Sequence, residues 1–502
     1  MKGNPVPLPV LLVSLGFALR FVFVLHQPFT NDEGLYLYGA KTLLEGRLPR
    51  GDVLTKAPAV AGLFMAAVWA SDGSLFAARL ASALLNTLTA FPLAALGRRL
   101  GGPRAGSAAG LTWLFAAGPI VFAAFGQTEA AAGFFGVSAL ALAAAVLRVG
   151  EEGPTFPRRR FLALAAGVLL ALAFASRKTS GVLLLPAALL FWNSPRVFRA
   201  KIFTAAFAGA LLAIVPWLVL AYWLYGTVGI REALGIGYAA IIAGHLRNPE
   251  AVGAWAASPH WALGVGLRTA GPVLLLALLG AGSGFWGGRL REIRTSPLAV
   301  PTVWLAALAL LYAAWPTLLP DYLPEFFPPV VLLAVAGLLR GKSLLGVSGQ
   351  RVSAGLLLVW NLGILWSVYH APWIGMFTAN AVRTAAAEVQ RYVPRDEPIF
   401  TAALLVPYLS GHRTLFDVAH PFWYRYAFIS PSVQRTFLPP LEEIESAVRT
   451  DVRWALVEQF TDYVYLRHPS NLLAVIWKDF TFVREIPNET GYRVNPLLLW
   501  RR

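Results

Sequence analysis

The chain has 502 residues, 57% of them hydrophobic and only 14% charged, with a mean hydropathy of +0.60. Soluble globular proteins carry about a quarter of their residues as charges, so this composition excludes an ordinary soluble enzyme and describes an integral membrane protein. The formal charge is +16, but from Thr378 onward 14 Lys and Arg stand against 13 Asp and Glu. The excess therefore lies between the apolar segments, where it sets topology, and does not form a nucleic-acid-binding surface. The absence of cysteine excludes disulfides, thiolate catalysis and Cys-ligated zinc.

A membrane-spanning helix takes about 20 apolar residues. Eleven segments meet that description: 6–25, 75–97, 105–124, 129–147, 161–176, 179–193, 202–224, 261–281, 298–316, 323–339 and 352–370. Only Lys2 precedes the first run and no small-residue cleavage pattern follows near His26 to Thr30, which predicts an uncleaved span. With the N-terminus in the cytoplasm, the inner connections contain Arg98, Arg99 and Arg104; Arg148 and Arg158 to Arg160; Arg196, Arg199 and Lys201; Arg289, Arg291 and Arg294; and Arg340, Lys342 and Arg351. Every one is basic, as the positive-inside rule expects. The outer face receives loop 27–74, the turn at Gln127 and Glu129, Arg177-Lys178, the 226–260 connection, the Pro316 to Asp321 turn and the C-terminal region.

Inside loop 27–74, Leu35, Leu37, Ala40, Leu43 and Leu44 recur near helical spacing, and Val60 to Trp69 forms a second run behind Pro58. Two short interfacial helices are expected there. After Trp373 the apolar runs shorten to strand length. Pro398 to Ala402, Arg453 to Glu458, Phe480 to Arg484 and Tyr492 to Val494 read as strands, with helices over Leu441 to Val448 and Asn471 to Lys478. The expected architecture is a polytopic α-helical membrane domain, 1–377, followed by an extracytoplasmic α/β domain, 378–502, in a multi-pass protein of the cell membrane. No internal repeat is visible.

The residues with chemical potential gather at the outer face. Asp32 and Glu33 sit where the first span would emerge into water. Adjacent carboxylates there can simply favour a helix N-terminus and solvent, but Arg20 lies inside the first span, where an unpaired guanidinium is costly. Glu129 opens the fourth span on the same side, and Lys56, Arg177 and Lys178 add cations beside apolar segments. Carboxylates converging with cations at one face suit a reaction between a buried base and an anionic, lipid-borne substrate.

The pattern Asp32-Glu33-x-x-Tyr36-x-x-Gly39-Ala40, followed by Gly46, Asp52 and Lys56-x-Pro58, resembles the first external loop of the protein mannosyltransferase/aminoarabinose transferase group of polyprenyl-phosphate-sugar glycosyltransferases, which have the GT-C fold. The resemblance extends to Arg20, Arg79-Leu80, Thr128-Glu129, Lys178, and Tyr322 ahead of Phe327-Pro328-Pro329. It implies inverting transfer of a sugar from a polyprenyl phosphate to a protein, glycolipid or glycan acceptor. Such transfer passes through an oxocarbenium-like state and asks one carboxylate to take the acceptor proton. Asp32 is the expected base, with Glu33 orienting it or meeting the acceptor and Glu129 holding sugar hydroxyls. Lys56, Lys178 and Arg20 are the expected cations for the leaving phosphate, and Tyr36 and Tyr322 complete the expected substrate contacts.

Each residue also has a plainer reading. Arg20 would tie the first span to Asp32; Arg177 and Lys178 would anchor at the interface; Arg79 and Glu129 would be helix-terminal charges; Tyr322 would belong to the aromatic belt. Lys56-Ala57-Pro58 stands where the family has Lys-Pro-Pro, and the 226–260 connection, with His245, Arg247, Glu250 and His260, matches no motif. Ala336 to Ser343 approaches a P-loop but follows a spanning helix instead of a strand. No cofactor is required by this chemistry; a divalent metal would have only carboxylates such as Asp32 and Glu129. The alternatives to an enzyme are a transporter or flippase of lipid-linked sugars, which would place polar sites near the bilayer midplane, and a receptor or scaffold, which leaves the first-loop carboxylates without a role.

Overall fold

The computed structural model describes residues 7–49, 57–147, 156–236, 258–285, 298–313, 320–372, 375–418, 439, 441–458, 472–490 and 493–502. In chain order the helices are α1 Leu8–His26, α2 Asn31–Leu44, α3 Pro58–Ala70, α4 Ala77–Leu88, α5 Ala90–Phe115, α6 Ala117–Phe122, α7 Thr128–Val146, α8 Phe156–Ser176, α9 Leu184–Trp192, α10 Arg196–Ala233, α11 Ser258–Phe285, α12 Ala299–Ala313 and α13 Phe327–His370. The 3₁₀ turns Lys178–Leu183 and Pro320–Phe326 precede α9 and α13. Helix thus occupies all eleven segments expected to span. Among the described residues, six stretches have the length and hydropathy to cross a membrane: Leu8–His26, Ala77–Phe115, Thr128–Val146, Phe156–Ser176, Arg196–Ala233 and Tyr322–Leu339. The shorter apolar helices are 58–70, 178–192, 262–278, 299–313 and 355–370.

Three of the long helices contain a reversal. Within α5, Gly102 has φ +84°, a conformation open mainly to glycine, and the chain folds back so that Gly106 lies against Ala94; a Cβ at Gly106 would sit 2.7 Å from the Ala94 carbonyl oxygen. Gly226, with φ +62°, similarly ends the long limb of α10 and returns the chain so that Gly229 meets Ala221. In α13, Phe327 packs on Gly118 while Asn361 bonds Ala117 N (2.7 Å) and Phe115 O (2.9 Å). Straight helix would set Phe327 and Asn361 about 51 Å apart, so α13 is two antiparallel limbs that return to the same level.

Small residues allow the tightest crossing, between α8 and α10. A Cβ on Gly167 would lie 1.8 Å from Ala206 O, and one on Gly209 2.0 Å from Leu164 O. Backbones approach this closely only where side chains are missing, a common device for helix association in lipid.

The C-terminal part is α/β, with α14 Ala379–Tyr392, β1 Ile399–Thr401, α15 Leu405–Ser410, α16 Leu441–Thr450, β2 Trp454–Val457, α17 Leu472–Asp479, β3 Thr481–Ile486, β4 Glu489–Thr490, β5 Arg493–Val494 and β6 Leu497–Arg501. The four-stranded sheet runs β1-β2-β6-β3, with β1 and β2 parallel and the other pairs antiparallel; β4 and β5 pair separately. Its core is continuous with the first loop: Leu37, Tyr38 and Phe64 are buried in one cluster with Val382, Leu404, Tyr408, Leu456 and Leu499. Polar contacts reinforce the joint. Tyr38 Oη accepts from Thr414 N (2.9 Å), Lys41 Nζ donates to Tyr408 O (2.8 Å), and Arg47 pairs with Asp417. Burial lowers the pKa of Lys41 and raises that of Tyr38. The helix carrying Asp32 is therefore wedged between the α/β part and the membrane helices, which fixes where its first turn points.

Candidate active site

The first turn of α2 is built by a capping box. Thr30 is the N-cap; its hydroxyl accepts from Glu33 N (3.4 Å) while the Glu33 carboxylate accepts from Thr30 N (2.7 Å). Asn31, Asp32 and Glu33 follow at about 100° intervals around the helix, so the adjacent carboxylates face different surroundings.

Glu33 points inward and is wholly buried. Its Oε1 accepts from Arg79 Nε (2.6 Å) and Gly126 N (2.9 Å), and its Oε2 from Arg79 Nη2 (2.9 Å) and Thr30 N. Arg79, also wholly buried, donates further to the carbonyls of Val24, Gln27 and Pro28 and lies 3.6 Å over the ring of Phe29. Every polar atom of this pair has a partner, the condition for a buried ion pair to be tolerated. Glu33 thus ties α2 to α4 and to the start of α7, and it is not open to an acceptor as the sequence reading expected.

Asp32 is half-buried and has no hydrogen bond or ion pair among the described residues. Asn31 beside it buries both amide atoms without a hydrogen-bond partner.

Arg20 differs from both expectations for it. It is wholly buried and donates to Asn86 Oδ1 (2.8 Å) and to the carbonyls of Gly16, Leu114 and Trp113. It stitches α1 to α4 and α5, reaching neither an open phosphate site nor Asp32. Tyr36 is likewise buried, its ring edge-on to Phe64 at 5.7 Å, so it supports α2 against α3. Lys56, Asp52, His245, Arg247 and Glu250 lie outside the described residues.

A second polar cluster lies one step along the start of α7, which Gln127 links to α2 through a 3.1 Å bond to Thr30 Oγ1. Glu129 pairs with Arg177, and Arg177 pairs also with Glu325. Arg177 donates to Thr128 Oγ1 and Thr179 Oγ1 (both 3.1 Å), and Glu325 accepts from Thr179 (2.7 Å) and Tyr312 (2.9 Å). Tyr322 lies under this guanidinium at 4.8 Å and stacks on Tyr312. Two carboxylates share one guanidinium. Sequence reasoning missed Glu325 and Tyr312; the available signal was a lone carboxylate directly ahead of an apolar span.

Lys178 turns away from Arg177 and places Nζ 3.9 Å from the Trp217 ring centroid and 4.9 Å from that of Phe174. Phe174 borders an apolar groove of about 430 Å³ between α8, α9 and α10, lined also by Ser180, Leu184, Phe191, Phe203 and Ile214.

Residues 56–220 match the model of the dolichyl-phosphate-mannose-protein mannosyltransferase family. The structure resembles ArnT from Cupriavidus metallidurans bound to undecaprenyl phosphate, with a TM-score of 0.59 and 16% identity over 98% of this chain and 97% of that one. The chain has the fold of the GT-C glycosyltransferases. A second GT-C protein, the oligosaccharyltransferase AglB from Archaeoglobus fulgidus in complex with an inhibitory peptide and a dolichol-phosphate, aligns with a TM-score of 0.61 and 11% identity over 93% of this chain and 70% of that one. At these identities the likeness concerns the fold. No curated protein matches the sequence. The family match begins after α2, so Asp32 and Glu33 stand on the geometry of this chain alone.

Proposed function

We propose that this GT-C protein is an inverting glycosyltransferase that moves a sugar from a polyprenyl phosphate to an acceptor at the outer membrane face, with Asp32 as the base. The observation that carries the reading is the division of labour in α2: Glu33 is saturated and buried, whereas Asp32 is partly exposed and unpartnered among the described residues. A base must hold its lone pair free until the acceptor hydroxyl arrives, and Asp32 meets that condition. Asn31 supplies an oriented donor and acceptor for a hydroxyl beside it. Glu129, Arg177 and Glu325 position the far wall, and Tyr322, packed against Arg177, helps to hold it.

Lys178, with Lys56, receives the leaving phosphate, and the groove beside Phe174 takes the first part of the polyprenyl chain. A lysine held over aromatic rings is a mobile point charge that exchanges ring faces for phosphate at small cost. The neighbours support a lipid-phosphate substrate, since ArnT and AglB were captured with undecaprenyl phosphate and dolichol-phosphate respectively. The N-terminus and the basic hairpin at Gly102 are assigned to the cytoplasm and the α/β part, 378–502, to the outside. The flippase alternative has no support from the fold's neighbours, which are transferases.

The test is incubation of the purified protein in lipid with radiolabelled polyprenyl-phosphate sugars, followed by determination of the anomeric configuration of the product. Release with inversion is expected. Retention refutes the single-base mechanism, and lipid movement between leaflets without sugar release refutes the transferase.

A further inference from the structure

About 28 Å of helix separates Arg79, at the Glu33 site, from Arg98 near the Gly102 turn within α5, roughly one hydrocarbon thickness. At that turn a cavity of about 970 Å³ opens beside the end of α7, lined by Arg98, Arg99, Leu100, Ser107, Ala144 and Leu147 among others. No carboxylate lines it among the described residues, and Arg98 has no hydrogen bond or ion pair among them. A second pocket of about 180 Å³ lies on the other flank of the hairpin, walled by apolar side chains including Leu298, Pro301, Leu332 and Val335, and Leu100 lines both.

A solvated topology signal would leave such arginines on a convex surface. Here they stand over a concave space of the size that ligands occupy, with cations at its rim and aliphatic walls within. Basic pockets between membrane helices recognise phosphate headgroups. We propose that this cavity binds an anionic glycerophospholipid in the leaflet away from Asp32, Arg98 meeting its phosphate at a rim that also carries Arg99, while Leu100, Ala144 and Leu147 meet its acyl chains. The site is separate from the sugar-transfer site and does not depend on that function.

The test is native mass spectrometry of the full chain in neutral detergent, titrated with phosphatidylglycerol, phosphatidylcholine or inorganic phosphate. Phosphatidylglycerol is expected to give a one-to-one adduct that phosphatidylcholine does not. The Arg98→Ala/Arg99→Ala variant should lower its affinity roughly twenty-fivefold, from about fivefold per arginine at a membrane surface. Ser107→Trp, which plugs the cavity and keeps both cations, should lower it as much. Arg196→Ala, an exposed arginine at the start of α10 away from the cavity, should change it by less than about twofold. An adduct that survives both cavity variants, or that falls equally with Arg196→Ala, overturns the proposal. So does displacement of the lipid by millimolar inorganic phosphate.

Discussion

Glu33→Gln separates a structural carboxylate from a catalytic one. Each oxygen of Glu33 accepts from both a backbone N–H and Arg79: Oε1 from Gly126 N and Arg79 Nε, Oε2 from Thr30 N and Arg79 Nη2. A glutamine turned either way therefore sets its amide NH₂ against two donors, and it leaves a wholly buried guanidinium without a counter-charge. Removing one partner of a buried pair costs about 3–5 kcal/mol. Arg79→Met should cost a similar amount, since it also orphans the carbonyls of Val24, Gln27 and Pro28. The double variant has no unpaired buried charge, so its cost should fall short of the sum by about 2 kcal/mol or more, within the range for residues in direct contact. Unfolding by denaturing detergent in mixed micelles, with sugar transfer measured per folded molecule, reads both quantities. A Glu33→Gln protein as stable as wild type but devoid of turnover would refute the structural role and make Glu33 part of the chemistry.

Arg177→Met should lower kcat/KM for sugar transfer by about tenfold to a hundredfold through displaced Glu129 and Glu325, and Glu325→Gln should do less, since Tyr312 and Thr179 can still donate to its remaining oxygen; equal losses would contradict that ordering. Lys178→Met should raise KM for the lipid donor about tenfold with little change in kcat, as for loss of uniform binding; an unchanged KM would remove Lys178 from the phosphate site. Gly167→Val should destabilise by about 3 kcal/mol or more, because its Cβ would lie 1.8 Å from Ala206 O; wild-type resistance to detergent unfolding would contradict the crossing geometry.

Much of the fold was legible because hydropathy and strand-length runs report it directly. Helix lies over every expected span, the two helices of loop 27–74 form, and the strands at 399–401, 454–457 and 481–486 fall where the short apolar runs placed them. The β6 strand, Leu497–Arg501, was missed although Leu497-Leu498-Leu499-Trp500 is an apolar run of the same length as Trp454–Val457; it lies inside the sheet between β2 and β3. The site was legible as a location more than as roles. Thr30-x-x-Glu33 is a capping-box signature that would have marked Glu33 as structural. That Arg79 rather than Arg20 closes the ion pair depends on the stacking of α1 against α4, which no local pattern encodes. The same holds for Arg177, whose bridge from Glu129 to Glu325 joins residues 48 and 148 positions away from it.

The most direct test is sugar transfer from the consumed polyprenyl-phosphate donor by wild type and by Asp32→Asn, with donor binding measured on the same samples. Asp32 touches none of the structural networks, so the variant should fold and bind donor as wild type does. Its turnover should fall by about a hundredfold to ten-thousandfold, the usual contribution of a positioned base. Turnover at the wild-type rate in a folded, donor-binding Asp32→Asn protein would contradict the assignment.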